Sequence, residues 1–467
     1  MINDNRGFKS KLYIIFFLHC LCVCFPLLFT EEIVRSFIYV NYLLQIFCIV
    51  LYSRIVKDQL KFFISPSILS SLYLLISFVL ADLLFRNNMY LLEYQSNFYS
   101  SWTHIHKSLI FYNGCTFLLC VSYFCSKPFF IKNVLNSYRG IKSSVKNSIL
   151  IFILLLFVLI SNIQLSFPGG SIDISTILST ILAICLFVRI KNINGSKRFL
   201  FYLLIIAIFA VFRFNNKREA IFLIYPILLL ELSTFKYKLI KLKYIFQLIL
   251  IGLSIFLVIV YMSIMRRDQG KDDVSISQIA DIIPAVIEYI SIDNVLPILA
   301  DNIEVNYVYI NSHHAVELIE NKPELMTWGG TYIKPLFLFI PRSVFPNKPE
   351  GVITLYTKAA LPDAAASGYC LPLSIQTESY WNFGFLGGLL MTFFVFSFLN
   401  FAFKYFYKSL QDDKFSNILY LYLYYVFGIL YRDAGFEKLI LWIFVAVVFL
   451  YLIKYIFKNK KIEIRMK

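Results

Sequence analysis

Apolar residues run through this chain in long unbroken stretches separated by short polar turns. Twelve such stretches stand near 12–30, 36–53, 66–85, 107–126, 148–165, 173–190, 198–213, 219–234, 244–264, 384–403, 415–431 and 438–457. A hydrocarbon core about 30 Å thick takes about 20 residues of helix to cross, so each stretch predicts a membrane span. Within lipid every backbone polar group must find its partner inside the segment, which makes these spans helices. The short alternating segments of a membrane barrel are missing. No small-residue cleavage site follows the first stretch, so "CFPLLFTEEIVRS" predicts a retained span rather than a cleaved leader. One region breaks the rhythm: residues 265–383 are polar for far longer than any turn.

Composition agrees with that pattern. Hydrophobic residues make up 59% of the 467 positions and charged ones 15%, with a mean hydropathy of +0.71. A soluble fold could not hide so much apolar side chain. The predicted class is an all-α polytopic integral membrane protein, with about 12 transmembrane helices and one large extracytoplasmic loop. Residues 1–264 would hold nine spans, 265–383 the loop, and 384–467 three spans and a basic tail.

Charge sets the orientation, because Lys and Arg are retained in cytoplasmic loops. With the N-terminus inside, alternate segments carry 3, 3, 5, 4, 4, 3 and 6 basic residues, or 28 of the 44. Both termini are then cytoplasmic, in a multi-pass protein of the cytoplasmic (inner) membrane. The net charge of +16 is largely this inside bias, so nucleic acid is not implied. Eight of the nine cysteines lie in or beside spans, leaving Cys370 without a loop partner, and no disulfide framework follows. Cys20, Cys22 and Cys24 alternate, so they do not share a helix face as metal ligands would.

The remaining basic residues face outward. Arg35, Arg86 and Lys107 stand singly and suit headgroup anchoring, whereas Arg213, Lys217 and Arg218 crowd one short outer turn, "FRFNNKREA". Anchoring does not call for three cations so close together; a bound anion does. Arg432 and Lys438 flank another outer turn, "YRDAGFEK". In the long loop, "SISQIADIIPAVIEYISI" and "NSHHAVELIENKPELMTWGG" predict short amphipathic helices. "TYIKPLFLFIPR" is apolar enough to lie on the membrane surface but too short to span. In "FLFIPRSVFPNKPEG", Pro341, Pro346 and Pro349 stiffen the backbone and present Arg342 and Lys348 at low entropic cost.

"GGTYIKPLFLFIPRSVFPNKPEG" followed by "QTESYWNFGFLGG" resembles the outer-loop pattern of Wzy-type polysaccharide repeat-unit polymerases, the O-antigen and capsule polymerases. "FNNKREAI" is similar to the basic turn opening an upstream helix of that family, and "YRDAG" to its late outer turn. The resemblance implies a membrane glycosyltransferase of GT-C-like fold acting in polysaccharide biosynthesis, for lipopolysaccharide or capsule. It would join oligosaccharide repeat units carried on undecaprenyl pyrophosphate, working in lipid beside a chain-length regulator and a flippase.

Such a reaction needs cations where the diphosphate leaves and a base for the attacking hydroxyl. Arginine grips phosphate oxygens in bidentate fashion. The diphosphate candidates are Arg213, Lys217, Arg218, Arg342, Lys348 and Arg432. Arg266 and Arg267 stand behind them, and equally suit the membrane edge of the ninth span. Glu378 in "TESYWNFG" is the first candidate base, and also suits a helix N-terminus. His313 and His314 follow, as imidazoles that titrate near neutrality or as ordinary polar loop residues. Tyr380 and Asn382 would contact sugar or sit in the interfacial belt. Asp268, Asp272 and Asp273 lie among cations in "RRDQGKDD" and read as a solvated hinge, so neither a metal nor another cofactor is implied. Two other readings stay open: a flippase for the same lipid-linked oligosaccharide, and a glycan ligase of similar fold.

Overall fold

A computed structural model describes residues 4–89, 93–126, 156–160, 174–191, 196–212, 222–234, 305–337, 340, 343–407, 410, 415–431, 435 and 442–451. Every regular element among them is helical. The first seven helices are α1 (Asp4–Cys24), α2 (Glu31–Ser36), α3 (Ile38–Ile55), α4 (Gln59–Phe63), α5 (Pro66–Arg86), α6 (Glu93–Ser100) and α7 (Ile105–Cys125). Three more follow: α8 (Ile174–Ile190), α9 (Ser196–Phe212) and α10 (Ile224–Thr234). Then come α11 (Val305–Asn321), α12 (Gly330–Ile333), α13 (Val352–Ala360), α14 (Pro362–Ala366), α15 (Ile375–Phe406) and α16 (Phe415–Leu430).

Among the described residues five helices are long and apolar enough to cross a membrane: Phe8–Leu28, Ile38–Ile55, Pro66–Arg86, Ile105–Cys125 and Ile375–Phe406. Shorter apolar helices stand at Ile174–Ile190, Ile224–Ser233, Asn417–Ile429 and Trp442–Tyr451. The described residues are thus those of a helical membrane protein. The expected span at 244–264 and most of that at 148–165 lie outside the described residues.

The chain forms two compact units, the first comprising Met1–Phe130, Leu296–Tyr405 and Leu430–Leu439. In it α1, α3, α5 and α7 pack side by side. Serines and Ala81 of α5 face this interior, where small side chains let helices approach closely. Polar clasps join the spans across the apolar packing. His19 bonds Gln45 at 2.7 Å. The amides of Asn41 and Asn113 donate to each other at 3.1 and 2.9 Å. Asn400 of α15 donates to Ser67 and Ser122 at 2.8 and 2.9 Å. In a water-free setting each clasp leaves no alternative partner, so it fixes register between helices.

Two elements differ from the sequence expectation. "NSHHAVELIENKPELMTWGG" predicts a short amphipathic helix; its first part falls in α11, where 13 of 17 residues are buried. This helix lies against α5, α6, α7 and α13, so its polar face is covered as well as its apolar one. The last long helix was expected to begin at 384; it begins at Ile375 and passes through a non-helical Gly384 (φ 64°, ψ −159°). Only glycine adopts that conformation at little cost. "TESYWN" is therefore helical and sits just ahead of a kink.

The second unit comprises Ile131–Val295, Phe406–Ile429 and Ile440–Lys467. There α8 is almost wholly buried. Glu231 of α10 takes Arg198 at 2.8 Å and the Tyr202 hydroxyl at 3.0 Å. Gly428 of α16 faces the Tyr225 ring so closely that an added Cβ would fall 2.3 Å from it.

Candidate functional site

The start of α15 is set locally. Ser374 accepts the Thr377 amide at 3.2 Å and caps the first turn. One residue further, Glu378 is fully buried in the first unit. Its Oε1 accepts the Thr331 hydroxyl at 2.8 Å, and its Oε2 accepts the Gly435 amide at 3.1 Å. Asn382, one turn on, donates to Thr331 Oγ1 at 2.7 Å and to the Glu378 carbonyl at 2.8 Å. Its Oδ1 accepts the Thr327 hydroxyl at 2.8 Å and the Thr331 amide at 3.3 Å. The Tyr332 hydroxyl lies 2.9 Å from Ser379 Oγ. Burial, aided by the Glu378 charge, pushes the Tyr332 phenol well above its ordinary pKa, so it stays neutral.

"GGTY", "TESYWNFG" and the glycine closing "YRDAG" thus converge on one carboxylate. Compared with models of known families, with curated proteins and with solved structures, the chain matches none. The residues themselves carry the reading.

Tyr380 points elsewhere: its hydroxyl donates to Glu320 of α11, which also pairs with Lys107. His313 is fully enclosed, with Tyr42 Oη 2.8 Å from its Nε2 and Ser108 Oγ 2.5 Å from its Nδ1. Rings of Phe78, Trp102, Tyr112 and Tyr309 surround it. Burial lowers its pKa to about 3, so the imidazole is neutral. His314 stacks on Phe98 with centroids 3.6 Å apart and meets Tyr356 Oη at 3.0 Å. Its pKa is lowered to about 4, again by burial, against an opposing pull from Glu317. Both rings are core groups of α11, and both ring nitrogens of His313 are engaged.

Lys348 Nζ donates to the Ile340 carbonyl at 3.3 Å. Arg213, Lys217, Arg218, Arg266, Arg267, Arg342 and Arg432 lie outside the described residues. So do Asp268, Asp272 and Asp273; among the described residues no group of three His, Cys, Asp or Glu side chains could hold a metal ion.

Several participants carried no signal that sequence reading took up. For Thr331 the clue in "GGTY" is a hydroxyl directly after paired glycines. Asp82, fully buried, takes Arg86 at 2.7 Å, the Tyr309 hydroxyl at 2.9 Å and the Tyr99 hydroxyl at 3.2 Å. Arg86 is therefore not the isolated outward cation it resembled. The four-residue spacing of Asp82 and Arg86 was legible as a helix pair. A cavity of about 210 Å³ lined by Phe25, Phe29, Ile33 and Phe37 is almost purely apolar and shares no residue with the Glu378 cluster.

Proposed function

We propose that the chain is a Wzy-type polymerase of lipid-linked oligosaccharide repeat units, a membrane glycosyltransferase with about twelve helices and both termini cytoplasmic. It would work on the outer face of the cytoplasmic membrane. The observation that supports this most is the meeting of three separated stretches of the resemblance at Glu378. A resemblance built from short motifs gains weight when the motifs share a site.

In the proposed reaction, the hydroxyl of the acceptor's non-reducing sugar attacks the anomeric carbon of the donor glycan. The bond from that carbon to the diphosphate oxygen breaks, and undecaprenyl pyrophosphate leaves with the electron pair. Glu378 takes the proton of the attacking hydroxyl. Thr331 now donates to Oε1 where that hydroxyl would arrive, so substrate entry replaces one hydroxyl donor by another. His313 and His314 rank behind it, since their hydrogen bonds go to Tyr42, Ser108 and Tyr356, none of them in the stretches that carry the resemblance. Arg213, Lys217, Arg218, Arg342, Lys348 and Arg432, with Arg266 and Arg267 behind them, would meet the negative charge that develops on the diphosphate. Asn382 and Tyr380 hold the helix turn that carries Glu378.

A flippase is the second reading, favoured by the buried ionisable groups His19 and Asp82 within apolar helices. One experiment separates the two. Purified protein in vesicles is given lipid-linked repeat units, and products are sized: a polymerase lengthens the glycans, while a flippase only moves them. Unchanged length with active transport would overturn the polymerase reading.

A further inference from the structure

The described residues between Met326 and Val344 present two different sides. One side is tied into the Glu378 cluster through Thr327, Thr331 and Tyr332. The other is apolar and bare: Trp328 is 76% exposed, Leu336 76% and Val344 73%, with Ile333 and Ile340 also exposed. Trp328 stands in the left-handed region (φ 49°), which a bulky residue adopts only when something holds it there. The next residue, Gly329 (φ 89°), packs so tightly on Phe383 that a Cβ would lie 3.1 Å from that ring. The backbone is thus pinned to α15 while the indole is held outward and largely exposed.

The position of this face tells what it meets. Met326 reaches the Gly384 kink, where its Cε would lie 3.1 Å from an added Cβ. Immediately past that kink, Leu386, Leu390, Phe394 and Phe398 form an exposed stripe at four-residue spacing along α15. A stripe of that kind on a membrane-crossing helix faces acyl chains. Trp328, next to the Gly329 that packs on Phe383, stands at the end of that stripe. Lys334 and Lys348 occur in the same segment, and tryptophan and lysine together are the usual furniture of the lipid–water boundary.

We infer that Trp328, Ile333, Leu336, Ile340 and Val344 form a bilayer-seated face that enters the leaflet around the kinked end of α15 and holds the Glu378 cluster at headgroup depth. This does not depend on the polymerase reading.

The test uses the full-length protein in nanodiscs of phosphatidylcholine and phosphatidylglycerol. Tryptophan emission is compared between wild type and Trp328→Phe, with bromine carried at a shallow position on the acyl chains or with iodide in the water. The indole lost in the variant should account for most of the shallow-bromolipid quenching and little of the iodide quenching. Leu336→Trp made in the otherwise unaltered protein should add lipid quenching, which covers the case where the first variant folds poorly. Quenching of the Trp328 component by iodide alone would put the face in water. Protection from both quenchers would put it against a protein partner or second copy. Either result overturns the inference.

Discussion

At the scale of single residues, Glu378 carries the most testable weight. Its Oε1 accepts from a threonine hydroxyl and its Oε2 from a backbone amide, and the hydroxyl is a donor that substrate could exchange. Glu378→Gln keeps the shape but removes the proton acceptor. If the residue acts as the base, chain elongation should fall by roughly 10²–10⁴-fold with protein level and unfolding temperature little changed. Thr331→Val should lower the rate by far less, because it removes only the donor that substrate displaces. Sizing of products from purified variants checks both, and a Glu378→Gln protein of normal rate would remove that assignment. The cations belong at this scale too. Arg218→Ala and Arg342→Ala should each cost about 3 kcal/mol of transition-state stabilisation if they contact the leaving diphosphate. Normal chain length in both variants would refute the diphosphate site.

At the scale of elements, α11 is where structure and sequence reading part most. Its polar letters, "NSHHAVELIEN", resembled a solvated face. Instead Glu317 accepts the His104 amide at 2.8 Å and the Thr103 hydroxyl at the entrance to α7. Burial alone would raise the Glu317 pKa, but Thr103, the His104 amide and Asn321 hold it below the ordinary value. His313 and His314 are lowered by burial. The signs agree. Unfolded histidine takes up a proton below about 6.5, while folded His313 resists until about 3, so acid favours unfolding over that window. Glu317, lowered when folded, contributes stability at neutral pH that fades as pH drops through and below 4.5. The unfolding temperature should therefore fall steadily from pH 7 to pH 4. His313→Gln should flatten the upper part of that fall and Glu317→Gln the lower. A curve level across the range would contradict the packing described for α11. Asp82 makes a related case: Arg86→Leu would leave a buried carboxylate with two tyrosine hydroxyls and no cation, a change that typically costs about 3–5 kcal/mol. What could be read beforehand follows the same physics. Spans such as Pro66–Arg86 and Ile105–Cys125 were legible to within a residue or two because hydrocarbon admits only apolar helix. The entry of α11 among them was not legible, since its cost is met by partners distant in sequence, Tyr42, Asp82 and Ser108 among them.

At the scale of the whole molecule, the proposed reaction depends on which side of the membrane the Glu378 cluster faces. A lipid-linked repeat unit can be elongated outside only if the cluster and the loop leading into α15 are outside. Charge bias along the sequence predicts this, because 28 basic residues fall in alternate segments once the termini are placed inside. The chain carries its own reporter: Cys370 is an exposed free thiol, five residues before α15 begins. The other cysteines lie in or beside apolar helices, where a charged reagent reaches them poorly. A membrane-impermeant maleimide added to intact cells or spheroplasts should label the protein through Cys370, and Cys370→Ser should abolish that signal. Inverted vesicles should label only after detergent is added. If the inverted vesicles react at once and spheroplasts do not, the loop is cytoplasmic. The diphosphate-binding role of its cations, the outer-face reaction and the orientation of both termini would then fall together, while the all-helical membrane fold would stand.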